Sequence, residues 1–299
     1  MSTLEKKVDE RYEGSKIRDF LKEELGLSTR MIRGAAVDGR ILVNGDPVRM
    51  RYEIHEGDDV LVKLAKKESQ DIAPEDIPID VVYEDEDILV VNKQPNIVVH
   101  PTFRHPTGTL ANGLMNYFKE TNQDCIVRLV SRLDRDTSGL IIIAKSQFSH
   151  MILSKEMQEN HLEKRYLAVV HGHLDKEEGT IVAPIYKPDV ENSVKRVVDE
   201  RGQRSVTHYK VIERFKGGDL VECLLETGRT HQIRVHMNHI GHPIYGDTLY
   251  GFGDEEKELI ERQALHAYGL NFSSPRTREK LELRASLPED IKELIEKIK

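Results

Sequence analysis

The sequence predicts an α+β protein in two parts, a small module of helices and short strands followed by a larger domain on a mixed, largely antiparallel sheet. Three features predict it. Residues 13–65 read as helix, helix, turn, strand and hairpin; residues 66–77 are polar, acidic and proline-bearing without apolar periodicity; residues 78–299 carry repeated apolar runs of strand length interrupted by helical stretches. A chain of 299 residues with 38% hydrophobic side chains can bury two cores.

In the first part, KIRDFLKEELG at 16–26 sets Ile17, Phe20, Leu21 and Leu25 on one helical face and ends at Gly26, a residue suited to a left-handed cap. Ser28 is placed to cap a second helix over 29–37 that displays Arg30 and Arg33. RILVNGDPV then gives a strand turned at Asn44-Gly45, and GDDVLVKL another short strand. Between 28 and 51, Arg30, Arg33, Arg40, Arg49 and Arg51 stand against Asp38 and Asp46, a basic face able to meet phosphate, although an ordinary solvated face can carry the same charges. LVNG and the later Gly57-Asp58 make this stretch resemble the alpha-L RNA-binding module of a small-subunit ribosomal protein and of many RNA-modifying enzymes. The resemblance implies that these five arginines contact RNA.

The net charge of −8 looks wrong for a phosphate-binding protein, but nine acidic residues between 66 and 87 against Lys66 and Lys67 leave the remainder at −1. Net charge therefore does not exclude nucleic acid. The acidic tract 66–77 reads as a linker and predicts flexibility between the two parts. No apolar run is long enough to span a membrane and the first residues carry no apolar signal segment, so a cytoplasmic protein is expected. Cys125 and Cys223 lack partners at metal-ligand spacing and are expected to be reduced and structural.

In the second part, IDVVYEDEDILVVNKQ, IIIA, KRYLAVVHG, SVTHYKVIERF and LVECLLET read as strands, and helices are expected around 110–119, 146–160, 230–240 and 288–298. The segment RLDRDTSGL at 132–140 places Asp134 and Asp136 beside two arginines on a loop that feeds the apolar run at 141–144. A carboxylate at the edge of a core needs pairing to stay ionised, and Arg132 and Arg135 are its nearest neighbours in sequence.

Taken alone, such a loop is most often only a turn. It resembles, however, the catalytic motif of the RluA-like pseudouridine synthases that modify large ribosomal RNA and tRNA. Three further segments match that family in the same order: VNKQPNIVVHP at 91–101, KRYLAVVHG at 164–172 and TGRTHQIRVHMNHIGHPIYGD at 227–247. The resemblance implies that Asp134 is the catalytic carboxylate, that Arg229 pairs with it, that Tyr166 is an active-site residue that stacks on the uracil and is a candidate for the final proton transfer, and that Arg132 enters the space left by a flipped uridine. Asp136 is assigned to holding the turn. Ser131 departs from the histidine usual there. In the last segment Thr230 is positioned as a helix cap, with Gly241 beyond the helix end.

That segment also carries His231, His236, His239 and His242, which invites a metal reading. The five-residue step from His231 to His236 leaves the helical face, only His236 and His239 could converge, and there is no HExxH pattern. No metal is expected. Converting uridine to pseudouridine oxidises nothing and imports no group, so no redox cofactor is expected either. Two other classes compete with this reading: an RNA-binding or ribosome-assembly protein on an inactive synthase fold, against which Asp134, Tyr166 and Arg229 together count, and a metal-dependent hydrolase using the histidines. The expected partner is structured RNA, with ribosomal RNA favoured and tRNA as the alternative, bound by a monomer.

Overall fold

The structure is a computed structural model and describes residues 3–64, 70–188 and 194–299. Its first part is a four-stranded antiparallel sheet ordered Thr3–Lys7, Asp59–Lys63, Ile41–Val43, Asp46–Pro47, packed against the helices Ile17–Glu23 and Thr29–Val37. Both expected local signals form. Ser28 Oγ accepts the Met31 N–H at 3.3 Å, capping the second helix. Asn44 (φ 51°) and Gly45 (φ 92°) both take the left-handed conformation of the hairpin turn. The sheet also recruits Thr3–Lys7, outside the expected module boundary at 13, because that segment supplies the outer partner for Asp59–Lys63.

The second part is a ten-stranded sheet whose main path runs Glu178–Val182, Val206–Arg214, Gly218–Leu225, Glu163–His171, Leu265–Ser273, Ser138–Ala144, Ile88–Lys93, Val81–Glu84. Its named pairings are antiparallel except one, between Leu265–Ser273 and Ser138–Ala144, where His266 faces Ser138 and Ala267 faces Gly139. Helices Leu110–Glu120, Gln147–Gln158, Gln232–His239 and Glu289–Ile298 cover this α+β sheet. Among the described residues no helix is long and apolar enough to cross a membrane.

The parallel junction explains a glycine. Gly139 has φ +113°, and a Cβ there would lie 2.3 Å from the Ala267 carbonyl oxygen. Only a residue without a side chain lets the two strands approach so closely.

The expected flexible linker is packed down where it is described. Residues 66–69 of it lie outside the described residues. Further along, Ile72 is buried, the Asn112 side chain donates to the Ala73 carbonyl at 2.8 Å, and the Glu75 carboxylate accepts the Gly108 N–H at 3.0 Å. These contacts lay the segment along the helix Leu110–Glu120. The two parts also share a core: Phe148 and Ile152 pack into the same cluster as Phe20, Leu21 and Ile54. Arg276 ties them as well, pairing with Asp87 at 2.8 Å while donating to the Thr3 carbonyl. Apolar burial and a charge-assisted bond across one seam oppose independent motion.

Candidate active site

Asp134 sits on the loop that enters Ser138–Ala144, and the loop is pinned from several directions. Leu133 packs against two of the apolar cores. The Thr137 N–H donates to the Asp134 carbonyl at 3.2 Å, closing the turn. Lys93, buried at the end of Ile88–Lys93, donates to the carbonyls of Gln94 (2.8 Å), Ile97 (3.0 Å) and Arg135 (2.8 Å). Arg262 donates to the Asp136 carbonyl at 3.0 Å, and Gln263 to the Thr137 hydroxyl at 3.2 Å. Asp136 itself takes the Arg135 guanidinium through two bonds of 2.8 and 3.1 Å. Arg135 is therefore occupied, and Arg132 is exposed without an ion pair among the described residues.

The partner of Asp134 is Arg234. Its guanidinium donates to Asp134 Oδ2 at 3.1 Å and forks onto the fully buried Asp247 at 2.7 and 2.8 Å. Asp247 in turn accepts the backbone N–H groups of Leu249 and Tyr250. Burial opposes the charge on Arg234, but the hydrogen bonds and field of Asp247, with Asp134 adding to them, outweigh it and raise its pKa. Arg234 is thus a fixed cation that orients the Asp134 carboxylate.

This corrects the sequence expectation that Arg229 pairs with Asp134. Arg229 is exposed, and its Nε donates to the Arg204 carbonyl at 3.4 Å. The reason is where the helix starts. It spans Gln232–His239 with His231 at its cap in the left-handed conformation (φ 58°), so Thr230 does not cap it and Arg229 lies before the first turn. The Gln232 side chain fixes that approach, accepting the Arg229 N–H at 3.0 Å and donating to the Val206 carbonyl at 2.9 Å. Arg234 lies inside the helix on its buried side. The sequence held a signal for it, a second arginine within the same motif.

Tyr166, on Glu163–His171, is only 7% exposed. Burial raises its pKa well above the usual phenol range, and the negative charge of Asp134 adds to the shift, so its hydroxyl keeps its proton. His231 completes the wall. Its Nε2 lies 3.8 Å from Asp134 Oδ2, and its Nδ1 lies 2.9 Å from the Tyr250 hydroxyl. Of the other histidines, His236 bonds the Thr207 hydroxyl and the Ala183 carbonyl, each at 2.9 Å, His242 bonds the His171 carbonyl at 2.8 Å, and His239 is exposed. Among the described residues no group of three or more histidine, cysteine, aspartate or glutamate side chains is placed to hold a metal ion.

Of the arginines expected to meet RNA, Arg30, Arg33, Arg49 and Arg51 are exposed, and the last two line a cleft of about 540 Å³ with Asn44 and Tyr52. Arg40 is turned inward instead, bonding Asp38 and, at 2.9 Å, the Lys63 carbonyl. Those bonds secure the strand edge.

The mixed sheet thus brings together Asp134 on a pinned loop, the buried Arg234 against it and the protonated Tyr166. Comparison with known proteins identifies the family. The RNA pseudouridylate synthase family model matches residues 87–239. The uncharacterized RNA pseudouridine synthase YjbO of Bacillus subtilis is 44% identical over 275 residues, 91% of this chain and 95% of that protein. The ribosomal large subunit pseudouridine synthase D of Escherichia coli is 36% identical over 302 residues, 97% of this chain and 92% of its own length. Human RNA Pseudouridylate Synthase Domain Containing 1 superposes with a TM-score of 0.59 at 27% identity, covering 70% of this chain and 83% of its own. This chain belongs to the RNA pseudouridylate synthase family and is an enzyme that isomerises uridine in RNA to pseudouridine.

Proposed function

We propose that the substrate is large-subunit ribosomal RNA and that Asp134 is the reacting carboxylate, serving as nucleophile or base where base and sugar join. The Asp134–Arg234 contact of 3.1 Å beside Tyr166 carries the assignment of the residue. The Escherichia coli relative, a ribosomal large subunit synthase similar along nearly the whole chain, supports the RNA. The reaction breaks the bond between uracil N1 and ribose C1′, turns the base, joins C5 to C1′, and moves a proton from C5 to N1. Asp134, oriented by the Arg234 guanidinium, acts at the sugar–base junction. The Tyr166 ring supports the detached uracil, and its protonated hydroxyl serves as a hydrogen-bond donor rather than as a phenolate. Arg132, exposed and two residues from Asp134, takes the gap in the helix from which the uridine flips. Arg30, Arg33, Arg49 and Arg51 hold phosphates farther away. A monomer in the cytoplasm fits this role.

Asp134→Asn keeps shape and polarity but removes the charge. Pseudouridine formation should be lost while RNA affinity stays near that of the wild type; an Asn variant with comparable yield would overturn the assignment. Mapping pseudouridines in RNA from cells with and without the protein decides the substrate: sites that vanish from large-subunit ribosomal RNA support it, and sites that vanish only from tRNA reject it.

A further inference from the structure

A second basic concavity lies beyond the Asp134 site. The hairpin formed by Ile185–Tyr186 and Val197–Val198 faces the residues that precede the helix Gln232–His239. Between them is a cleft of about 460 Å³ whose walls include Lys187, Arg196, Arg201, Arg229 and Thr230, with four cations and no carboxylate among the described residues. Arg201 is held from outside by Asp199 at 2.7 Å and covers the Tyr186 ring, 4.5 Å from its centroid. Arg196 donates to the Val194 carbonyl at 2.8 Å. Among the described residues, Lys187 and Arg229 have no carboxylate partner. The backbone keeps these charges together: Gln232 holds the Arg229 N–H, and the Arg196 N–H donates to the Tyr250 hydroxyl at 2.7 Å. Like charges gathered on a fixed frame are stabilised by an anion.

A short series of contacts joins the cleft to the Asp134 site. The Tyr250 hydroxyl that accepts from Arg196 lies 2.9 Å from His231 Nδ1, and His231 Nε2 lies 3.8 Å from Asp134. We propose that this cleft seats a backbone phosphate of the RNA strand beside the uridine held at Asp134, with Lys187 and Arg229 as its principal cations; the proposal rests on the reading of Asp134 as the reacting carboxylate. A phosphate suits the cleft better than a base, because the Tyr186 face that could stack is covered by Arg201. A flipped nucleotide carries its own phosphates with it, and cations outside the pocket set its register without reading sequence. Arg229, displaced from Asp134 by Arg234, gains this role.

The experiment compares wild type with Lys187→Gln/Arg229→Gln on a ribosomal RNA fragment containing a uridine that the wild type converts. The slope of log affinity against log salt should become shallower by about 0.7 for each phosphate that the variant no longer neutralises on a single strand. KM should rise while kcat holds. In a second measurement the phosphates flanking the target uridine are replaced one at a time by neutral methylphosphonates. One replacement should weaken the wild type and leave the double variant unchanged. Equal salt slopes, or losses that add in the double variant, overturn the proposal. Asp134→Asn separates the two readings: it should lose conversion yet keep the wild-type slope and the same methylphosphonate sensitivity.

Discussion

At the residue scale, the two arginines of one short motif carry different loads. Arg234 is buried between two carboxylates, and its removal leaves Asp247 buried and Asp134 unpaired, a change that typically costs roughly 3–5 kcal/mol. Arg234→Ala should therefore lower the denaturant midpoint and abolish conversion, and Arg234→Lys, which cannot fork onto Asp247, should rescue only part of both. Arg229→Ala should leave stability within about 0.5 kcal/mol of the wild type. A double-mutant cycle of Arg234→Ala with Asp134→Asn checks the pairing, since additive losses would mean that the two do not act together.

Lys93 gives a pH signature. Burial pushes its pKa down to about 7, against the attraction of Asp136 and Asp134. The unfolded chain holds that proton up to about 10.4. Between these values the unfolded state binds more protons, so the group's contribution to stability rises with pH and is lost as pH falls through 7. Lys93→Met has no such term. Its stability relative to the wild type should fall from pH 7 to pH 10 in denaturant titrations, and a constant difference would contradict the burial argument.

At the element scale, the parallel pairing of Ser138–Ala144 with Leu265–Ser273 decides where the loop ends. Ser138–Ala144 delivers Asp134 because its first residues lie against Leu265–Ser273, and Gly139 permits that approach. Gly139→Ala combines a disfavoured φ with a backbone clash. It should cost more than about 2 kcal/mol and reduce conversion even in molecules that remain folded. The thermal midpoint and single-turnover rate measure the two effects, and an Ala variant with unchanged values would remove the junction from the account.

At the scale of the whole molecule, the seam between the two parts has consequences for truncation. Removing residues 1–77 would uncover Phe148 and Ile152, delete Ile72 and strip Arg276 of its Thr3 partner. With about 1.5–3 kcal/mol for each large apolar side chain returned to water, a loss of several kcal/mol is expected. The shortened chain should unfold at lower denaturant than the full one; equal midpoints would show that the seam contributes nothing. The salt slope for RNA binding should also become shallower as Arg30, Arg33, Arg49 and Arg51 depart, and an unchanged slope would mean that these side chains do not meet phosphate.

The α+β class, the Ser28 cap and the Asn44-Gly45 turn are legible in the chain alone, because each depends on residues close together along it, whereas the segments around Asp134 and Tyr166 stand out only through their resemblance to a known family. Periodicity, a capping hydroxyl and a turn dipeptide are local signals. Leu265–Ser273 escapes such a reading because LHAYGLNFS mixes glycine and asparagine into an apolar run, and it becomes a central strand only by pairing with strands about a hundred residues away. The partner of Asp134, the burial of Lys93, the inward turn of Arg40 and the packed seam likewise emerge only when distant segments come together. Which of two nearby arginines reaches a carboxylate one hundred residues distant depends on where a helix begins and which side it buries, and spacing along the chain does not contain that direction.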